Sequence, residues 1–125
     1  MQHLGLVFLG GGAGSVARYA ITKLVSDRLG TNLPFATFSI NIIGCFLIGF
    51  IYAILQKYST GNQTEIKLLL ATGFCGGFTT FSAFAYENNQ LWQQGSNFLS
   101  LAYIFSSVGL GLIATFIGMS LVINS

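Results

Sequence analysis

A short run in the second half of the chain concentrates residue types that could hold an ion inside a membrane. Residues 73–84 read GFCGGFTTFSAF and lie within a long apolar segment, from about residue 66 to residue 86. Glycine weakens a helix by roughly 1 kcal/mol relative to alanine. Backbone opened within a bilayer is tolerated only where protein buries it or where it lines a wet cavity. Because broken spans present carbonyls and helix ends to ions, the run predicts that the chain binds or conducts a small polar species at membrane depth.

The elements that position this run are predicted to be membrane-spanning helices. Of 125 residues, 53% are hydrophobic and only 6% are charged, whereas soluble domains carry about 25% charged residues. Apolar stretches of about twenty residues match the hydrocarbon core of a bilayer. Short polar links separate four of them, and we predict one all-α membrane domain over residues 1–125 with spans at about 4–25, 35–55, 66–92 and 98–123. The third span is predicted to be broken at mid-membrane.

Leaving aside Arg18 inside the first span, the positive charges are balanced between the two sides of this arrangement. Lys23 and Arg28 fall on the side of the first link, and Lys57 and Lys67 fall on the other side, together with both termini. An excess of Lys and Arg on one side orients a membrane protein. Without an excess the chain should insert both ways up, which predicts a dual-topology, antiparallel homodimer. Two inverted chains would reproduce the inverted repeats that larger transporters carry within one chain.

Small residues mark the predicted contacts between the spans. Gly10 and Gly14 are four residues apart on the first span, as Cys45 and Gly49 are on the second. A continuous ridge of small residues follows the fourth span at positions 107, 111, 114 and 118. Such ridges let membrane helices approach closely. The two cysteines, Cys45 and Cys75, are interpreted as small packing residues within the spans.

Several polar side chains lie inside the spans, where they tend to face a bundle interior or a cavity. Arg18 is a buried charge that favours an anion or bonds carbonyls, or else a snorkelling residue. Asn41 either donates to a ligand or joins two helices. Tyr103 and Ser107 share one face of the fourth span, as a polar track or as contacts between helices. Glu87 is the one acid near a span interior, although an acid at the membrane interface is the simpler interpretation.

Phe81 and Phe84 are three residues apart beside the hydroxyl-rich run. The edge of an aromatic ring carries partial positive charge, so rings turned edge-on could favour an anion, while apolar packing is the alternative. Arginine, amide, hydroxyl and ring edges all present positive ends, and inward-facing acids are nearly absent. A cation path would want rings of acids or many carbonyls. The residues therefore favour an anion.

The chain resembles the Fluc (CrcB) fluoride channels of bacterial membranes. Four segments carry the resemblance over nearly the whole chain: GGAGSVARY, ATFSINIIG, TGFCGGFTTFSAFAYE and AYIFSS. The third is long and highly specific. The resemblance implies a passive channel in the bacterial cytoplasmic membrane that exports fluoride through an antiparallel dimer with two pores.

The resemblance also implies roles for individual residues. A structural sodium ion, which is not transported, would be bound by the backbone carbonyls of Gly76 and Thr79 from both subunits. The fluoride pathway would comprise Asn41, Phe81, Phe84, Thr80, Ser82, Tyr103, Ser107, Arg18 and Glu87. In one departure, Gly111 stands where some relatives carry a second serine one turn past Ser107, so one hydroxyl of the track is missing or replaced by water.

Other classes of protein fit the sequence less well. A small four-span exporter of multidrug or other cationic compounds can also have dual topology, but it needs an acid within a span, typically the first, which here holds Arg18. A scaffolding subunit would not need hydroxyls, glycines and phenylalanines concentrated at mid-span. No Ser/His or paired-carboxylate set lies within the spans, which argues against an enzyme, and five Lys and Arg residues argue against nucleic-acid binding.

Overall fold

The structure, a computed structural model, describes residues 1–30, 34–58 and 61–125. Residues 31–33 and 59–60, which belong to the first two predicted links, lie outside the described residues. The described elements follow in chain order: α1 (Gln2–Leu29), α2 (Phe35–Lys57), α3 (Gln63–Ile66), a π-helical segment (Lys67–Cys75), α4 (Gly76–Phe78), α5 (Phe81–Gln93) and α6 (Asn97–Ile123).

Within the described residues, four helical segments are long and apolar enough to cross a membrane, as predicted. They are α1, α2, the combined segment Gln63–Gln93, and α6. Each contains one predicted span, and the helix extends zero to four residues beyond the span at each end. Large apolar side chains cover the outside, and Phe8, Phe105 and Phe116 are 78%, 72% and 69% exposed. A surface this apolar is stable against hydrocarbon and not against water.

The third segment departs from a regular α-helix in two places. Residues 67–75 form a π-helix, which was not predicted, and π-helical turns are rare and occur often at functional sites. The backbone is then extended at Thr79, with φ −80° and ψ 159°, and at Thr80, with φ −150° and ψ 122°. Helix resumes at Phe81. These two residues lie within the glycine- and hydroxyl-rich run.

Glycines allow α1 to contact this irregular segment backbone to backbone. A Cβ atom added to Gly10 would overlap the carbonyl oxygen of Leu69, and one added to Gly14 would overlap that of Phe74. Both glycines are buried. Only residues without a side chain fit this contact, so the pair at i and i+4 predicted from the sequence is a helix-packing surface.

The ridge on α6 packs against α2 in the same manner. Gly118 abuts the carbonyl oxygen of Phe46, and Gly49 of α2 abuts that of Thr115. The predicted ridge is therefore a contact between helices. At the end of this pair, the Lys57 ammonium donates to the carbonyl oxygen of Val122 at 2.9 Å, which caps the last turn of α6 with a positive charge.

Candidate functional site

The extended segment is bound by an asparagine from the neighbouring helix. The Asn41 side-chain amide donates from Nδ2 to the carbonyl oxygen of Thr80 at 3.1 Å. Its Oδ1 accepts from the Thr80 backbone N–H at 2.9 Å. One side chain thus satisfies both backbone groups of an extended residue that would be costly to leave unpaired in a membrane. Asn41 thus joins α2 to the third segment, and its amide has two N–H donors, of which the bond to Thr80 uses one.

Two backbone carbonyls at the extended segment lose their helical hydrogen bonds. In a continuous α-helix, residue 80 would donate to the carbonyl of residue 76, and residue 83 to that of residue 79. Here the Thr80 N–H donates to Asn41, and the Ala83 N–H donates to the Thr80 hydroxyl oxygen at 3.2 Å. The carbonyls of Gly76 and Thr79 therefore lose their helical partners. Carbonyl oxygens are suitable ligands for a small hard cation, so the residues present fit a sodium ion.

A third carbonyl at the break, that of Gly77, is bound by α1. The Arg18 guanidinium donates to it from Nε at 3.1 Å, and the Ser15 hydroxyl lies at 3.5 Å. In a continuous helix this carbonyl would accept from residue 81. Of the alternatives for Arg18, the geometry corresponds to the one in which the arginine bonds a carbonyl and stabilises the local structure.

Thr80 also begins the next helix. It is the N-cap of α5, its hydroxyl accepts from Ala83, and it lies 3.3 Å from the Ser82 hydroxyl. An N-cap side chain of this kind stabilises a helix end by roughly 1 kcal/mol. The first turn of α5 carries partial positive charge and begins directly at the extended segment, so this point of the structure favours an anion nearby.

Three aromatic rings follow one another along α5 and α6. The rings of Phe81 and Phe84 are 5.8 Å apart, centroid to centroid, and tilted by 40°. The rings of Phe84 and Tyr103 meet edge-on at 4.9 Å and 63°. Phe81 is 79% exposed, whereas Tyr103 is only 7% exposed. The predicted phenylalanine pair is therefore brought together, and one of its rings is left uncovered within this chain.

Glu87 is connected to the interior by two hydroxyls. The Thr37 hydroxyl donates to its Oε2 at 2.7 Å, and the Tyr103 hydroxyl donates to its Oε1 at 2.8 Å. Glu87 is thus more than an acid at the interface, because its carboxylate joins α2, α5 and α6. The Tyr103 hydroxyl thus donates to Glu87, and among the described residues no hydrogen bond joins it to Ser107.

A groove of about 450 Å³ gathers most of the remaining predicted residues. It lies among α2, the third segment and α6, and it is lined by these predicted site residues: Asn41, Gly76, Thr79, Thr80, Phe81, Phe84 and Ser107. The Ser107 hydroxyl is buried and lacks a hydrogen-bond partner within the described part of the chain. Arg18, Ser82, Glu87 and Tyr103 do not line this groove.

Three polar residues at the site were not predicted. Thr37 lies one turn before Asn41, and that spacing was the signal that could have identified it. Cys45 lines the groove although the sequence indicated only packing. Thr115 continues the face of Ser107 by two turns, and its hydroxyl donates to the Cys45 carbonyl at 3.0 Å.

Four apolar helices, an interruption with released carbonyls and a groove with hydrogen-bond donors define a multi-pass membrane protein of the ion-binding or ion-conducting class. The chain belongs to the family described as CrcB-like protein, Camphor Resistance (CrcB), whose sequence profile matches residues 5–119. A protein of Gloeothece citriformis is 47% identical over 122 residues, which cover 98% of each chain. Proteins of Phocaeicola vulgatus and Flavobacterium psychrophilum are each 44% identical over 119 residues, or 95% of this chain and 97% and 95% of theirs. All three relatives are named fluoride-specific ion channel FluC.

Proposed function

We propose that this protein is a fluoride channel that lets fluoride leave the bacterial cytoplasm passively across the inner membrane. The observation that carries the proposal is the groove, which combines the Asn41 amide, the unpartnered Ser107 hydroxyl and the rings of Phe81 and Phe84. The three relatives named fluoride-specific ion channels support the identity of the ion.

Fluoride is small and strongly hydrated, so a pore must replace its water with closely spaced donors. The second N–H of Asn41, the hydroxyls of Thr80 and Ser107, and the edges of Phe81 and Phe84 provide such donors along one groove. Several sites of moderate strength permit entry and exit, as conduction requires. The pathway continues beyond the groove, along α5 and α6, and there it includes Ser82, Glu87 and Tyr103.

A sodium ion at the interrupted helix completes the proposal. The released carbonyls of Gly76 and Thr79 would bind it, and its charge would stabilise the opened backbone and add positive potential close to the anion path. The ion is structural and is not transported. We place the interruption near mid-membrane, because Thr79 and Thr80 lie in the interior of the helical segment Gln63–Gln93.

A second, inverted copy of the chain would complete the site. The groove is open on one side, Gly76 is exposed, and the Phe81 ring is largely uncovered. An exposed ring beside polar groups in a membrane favours burial against protein, since the alternative leaves the Asn41 amide and the Thr80 hydroxyl open to lipid. The equal count of positive charges on the two sides fits an antiparallel homodimer in which both copies contribute carbonyls to one sodium ion.

Fluoride efflux from liposomes that contain the purified protein tests the function. We expect rapid, voltage-driven efflux of fluoride, with little efflux of chloride, because the donors are spaced for a small ion. Replacing sodium by a larger organic cation should reduce efflux. Chloride efflux as fast as fluoride efflux, or efflux that requires a proton gradient, would contradict the proposal.

Reporter fusions at Ser125 test the dimer. We expect reporters that are active in the cytoplasm and reporters that are active outside it to give comparable signals, because the charge balance gives the chain no preferred orientation. Gln93→Lys together with Gln94→Lys is the matched control, since it adds two positive charges on one side and should select one orientation. A single orientation of the unmodified chain would disprove dual topology.

A further inference from the structure

The position one turn after Ser107 on α6 is a glycine. Ser107, Gly111 and Thr115 follow one another at intervals of four residues, so they share a face of the helix. Ser107 lines the groove, and its hydroxyl oxygen is buried. The Thr115 hydroxyl donates to the carbonyls of Cys45 and Gly111 at 3.0 and 3.1 Å, so its hydrogen is not available to an anion. Beyond Ser107, α6 therefore offers no free hydroxyl donor on this face.

The thiol of Cys45 fills the space over Gly111. A Cβ atom built on Gly111 would lie 3.2 Å from the Cys45 sulfur, which is tighter than an ordinary contact. Gly111 is buried, while Cys45 is only half-buried, has a free thiol and lines the groove. The sulfur thus lies where a side chain at position 111 would otherwise project.

The neighbouring hydroxyl indicates independently that a polar ligand enters this part of the groove. The oxygen of Ser107 is buried and finds no partner among the residues that the structure describes. Buried hydroxyls in native proteins are normally satisfied by protein, water or a ligand. In a groove that also holds the Asn41 amide, a small ion or a water molecule that travels with it would satisfy this hydroxyl.

We propose that the Cys45 thiol is a donor of the anion path, which takes over from Ser107 at the turn that Gly111 leaves empty. The S–H group is a weak donor, suited to a site that an anion must enter and leave quickly. The proposal rests on the proposed function and extends it to a residue on α2. It makes Cys45 a residue that contacts the conducted anion.

Single substitutions of Cys45 test this in full-length protein reconstituted in liposomes. We expect Cys45→Ala to slow fluoride efflux about fivefold, since a weak hydrogen bond to the ion is lost. Cys45→Ser keeps a donor in nearly the same place and should conduct at least as fast as the unmodified protein. Ile40→Val is the control for packing, because it removes a similar volume from a buried position of the same helix, and it should leave efflux unchanged.

Two double variants distinguish the effect of the hydrogen-bond donor from the effect of the volume that it fills. Cys45→Ala with Gly111→Ser places a hydroxyl in that space, whereas Cys45→Ala with Gly111→Ala fills it without a donor. We expect faster efflux from the serine variant. Equal efflux from the two double variants, or from Cys45→Ala and the unmodified protein, would overturn the role of Cys45. Absence of fluoride efflux from the unmodified protein would instead disprove the proposed function.

Discussion

Replacing Asn41 by alanine is expected to reduce fluoride efflux about a hundredfold or more, a loss that corresponds to roughly 3 kcal/mol. The substitution removes two hydrogen bonds to the Thr80 backbone and the one side-chain amide that lines the groove. The extended segment then loses the partner that orients it, and the anion loses a donor at the same point. Efflux from liposomes, with each variant at equal protein content, measures the effect.

Two controls accompany this experiment. Asn89→Ala removes an exposed amide that donates to the carbonyl of Ala85 within α5, so it should conduct normally. Asn41→Asp retains the acceptor for the Thr80 N–H but loses the Nδ2–H donor and adds negative charge, so it should also fail to conduct. Gel filtration should show the same assembly for all variants. Near-normal efflux from Asn41→Ala would exclude Asn41 from the pathway.

The sequence predicted the four spans and their contacts well because both depend on local patterns. The lengths of the apolar stretches set the spans, glycines at i and i+4 marked the packing face of α1, and a ridge of small residues marked that of α6. The glycine- and hydroxyl-rich run also marked the position at which Thr79 and Thr80 adopt extended backbone. These features can be predicted without knowing which helix packs against which.

The π-helical segment was not predicted, since no pattern of residues 67–75 distinguishes it from an α-helix. The carbonyls of Leu69 and Phe74, both within this segment, meet Gly10 and Gly14, and such a fit depends on tertiary contacts. The hydrogen-bond partners of the polar residues could not be predicted for the same reason. Only the fold shows that the Tyr103 hydroxyl donates to Glu87.

The interrupted helix divides its released carbonyls between two tasks. Arg18 donates to the carbonyl of Gly77 on the side of α1, where the Ser15 hydroxyl is the second donor, at 3.5 Å. Gly76 and Thr79 line the groove instead, and their carbonyls are the ones that the proposed sodium ion would bind. The arginine thus stabilises the side of the extended segment that faces α1, and the close contact of α1 with the segment is what holds it there.

That contact makes Gly14 the position at which the smallest change should do the most damage to the fold. A Cβ atom at Gly14 would overlap the carbonyl oxygen of Phe74 and lie 2.8 Å from the Phe78 backbone nitrogen. Backbone atoms cannot rotate away as side chains do, so Gly14→Ala must separate α1 from the third segment. Overpacking typically costs about 1–3 kcal/mol, and we expect a cost at or above the upper end of this range.

The expected results are a sharp fall in the yield of monodisperse protein in detergent and a lower midpoint of thermal unfolding. Gly12→Ala is the matched control on the same helix, since a Cβ at Gly12 meets nothing within 4 Å. It adds the same methyl group and raises the helix propensity by the same amount relative to glycine, so the variant should fold as well as the unmodified protein or slightly better. Because Arg18 and Gly14 lie one turn apart on α1, separation of the helices should also break the bond from Arg18 to Gly77. Normal stability and normal efflux of Gly14→Ala would show that α1 does not lie against the interrupted helix as closely as the contacts of Gly10 and Gly14 indicate, and the account of the released carbonyls would fail with it.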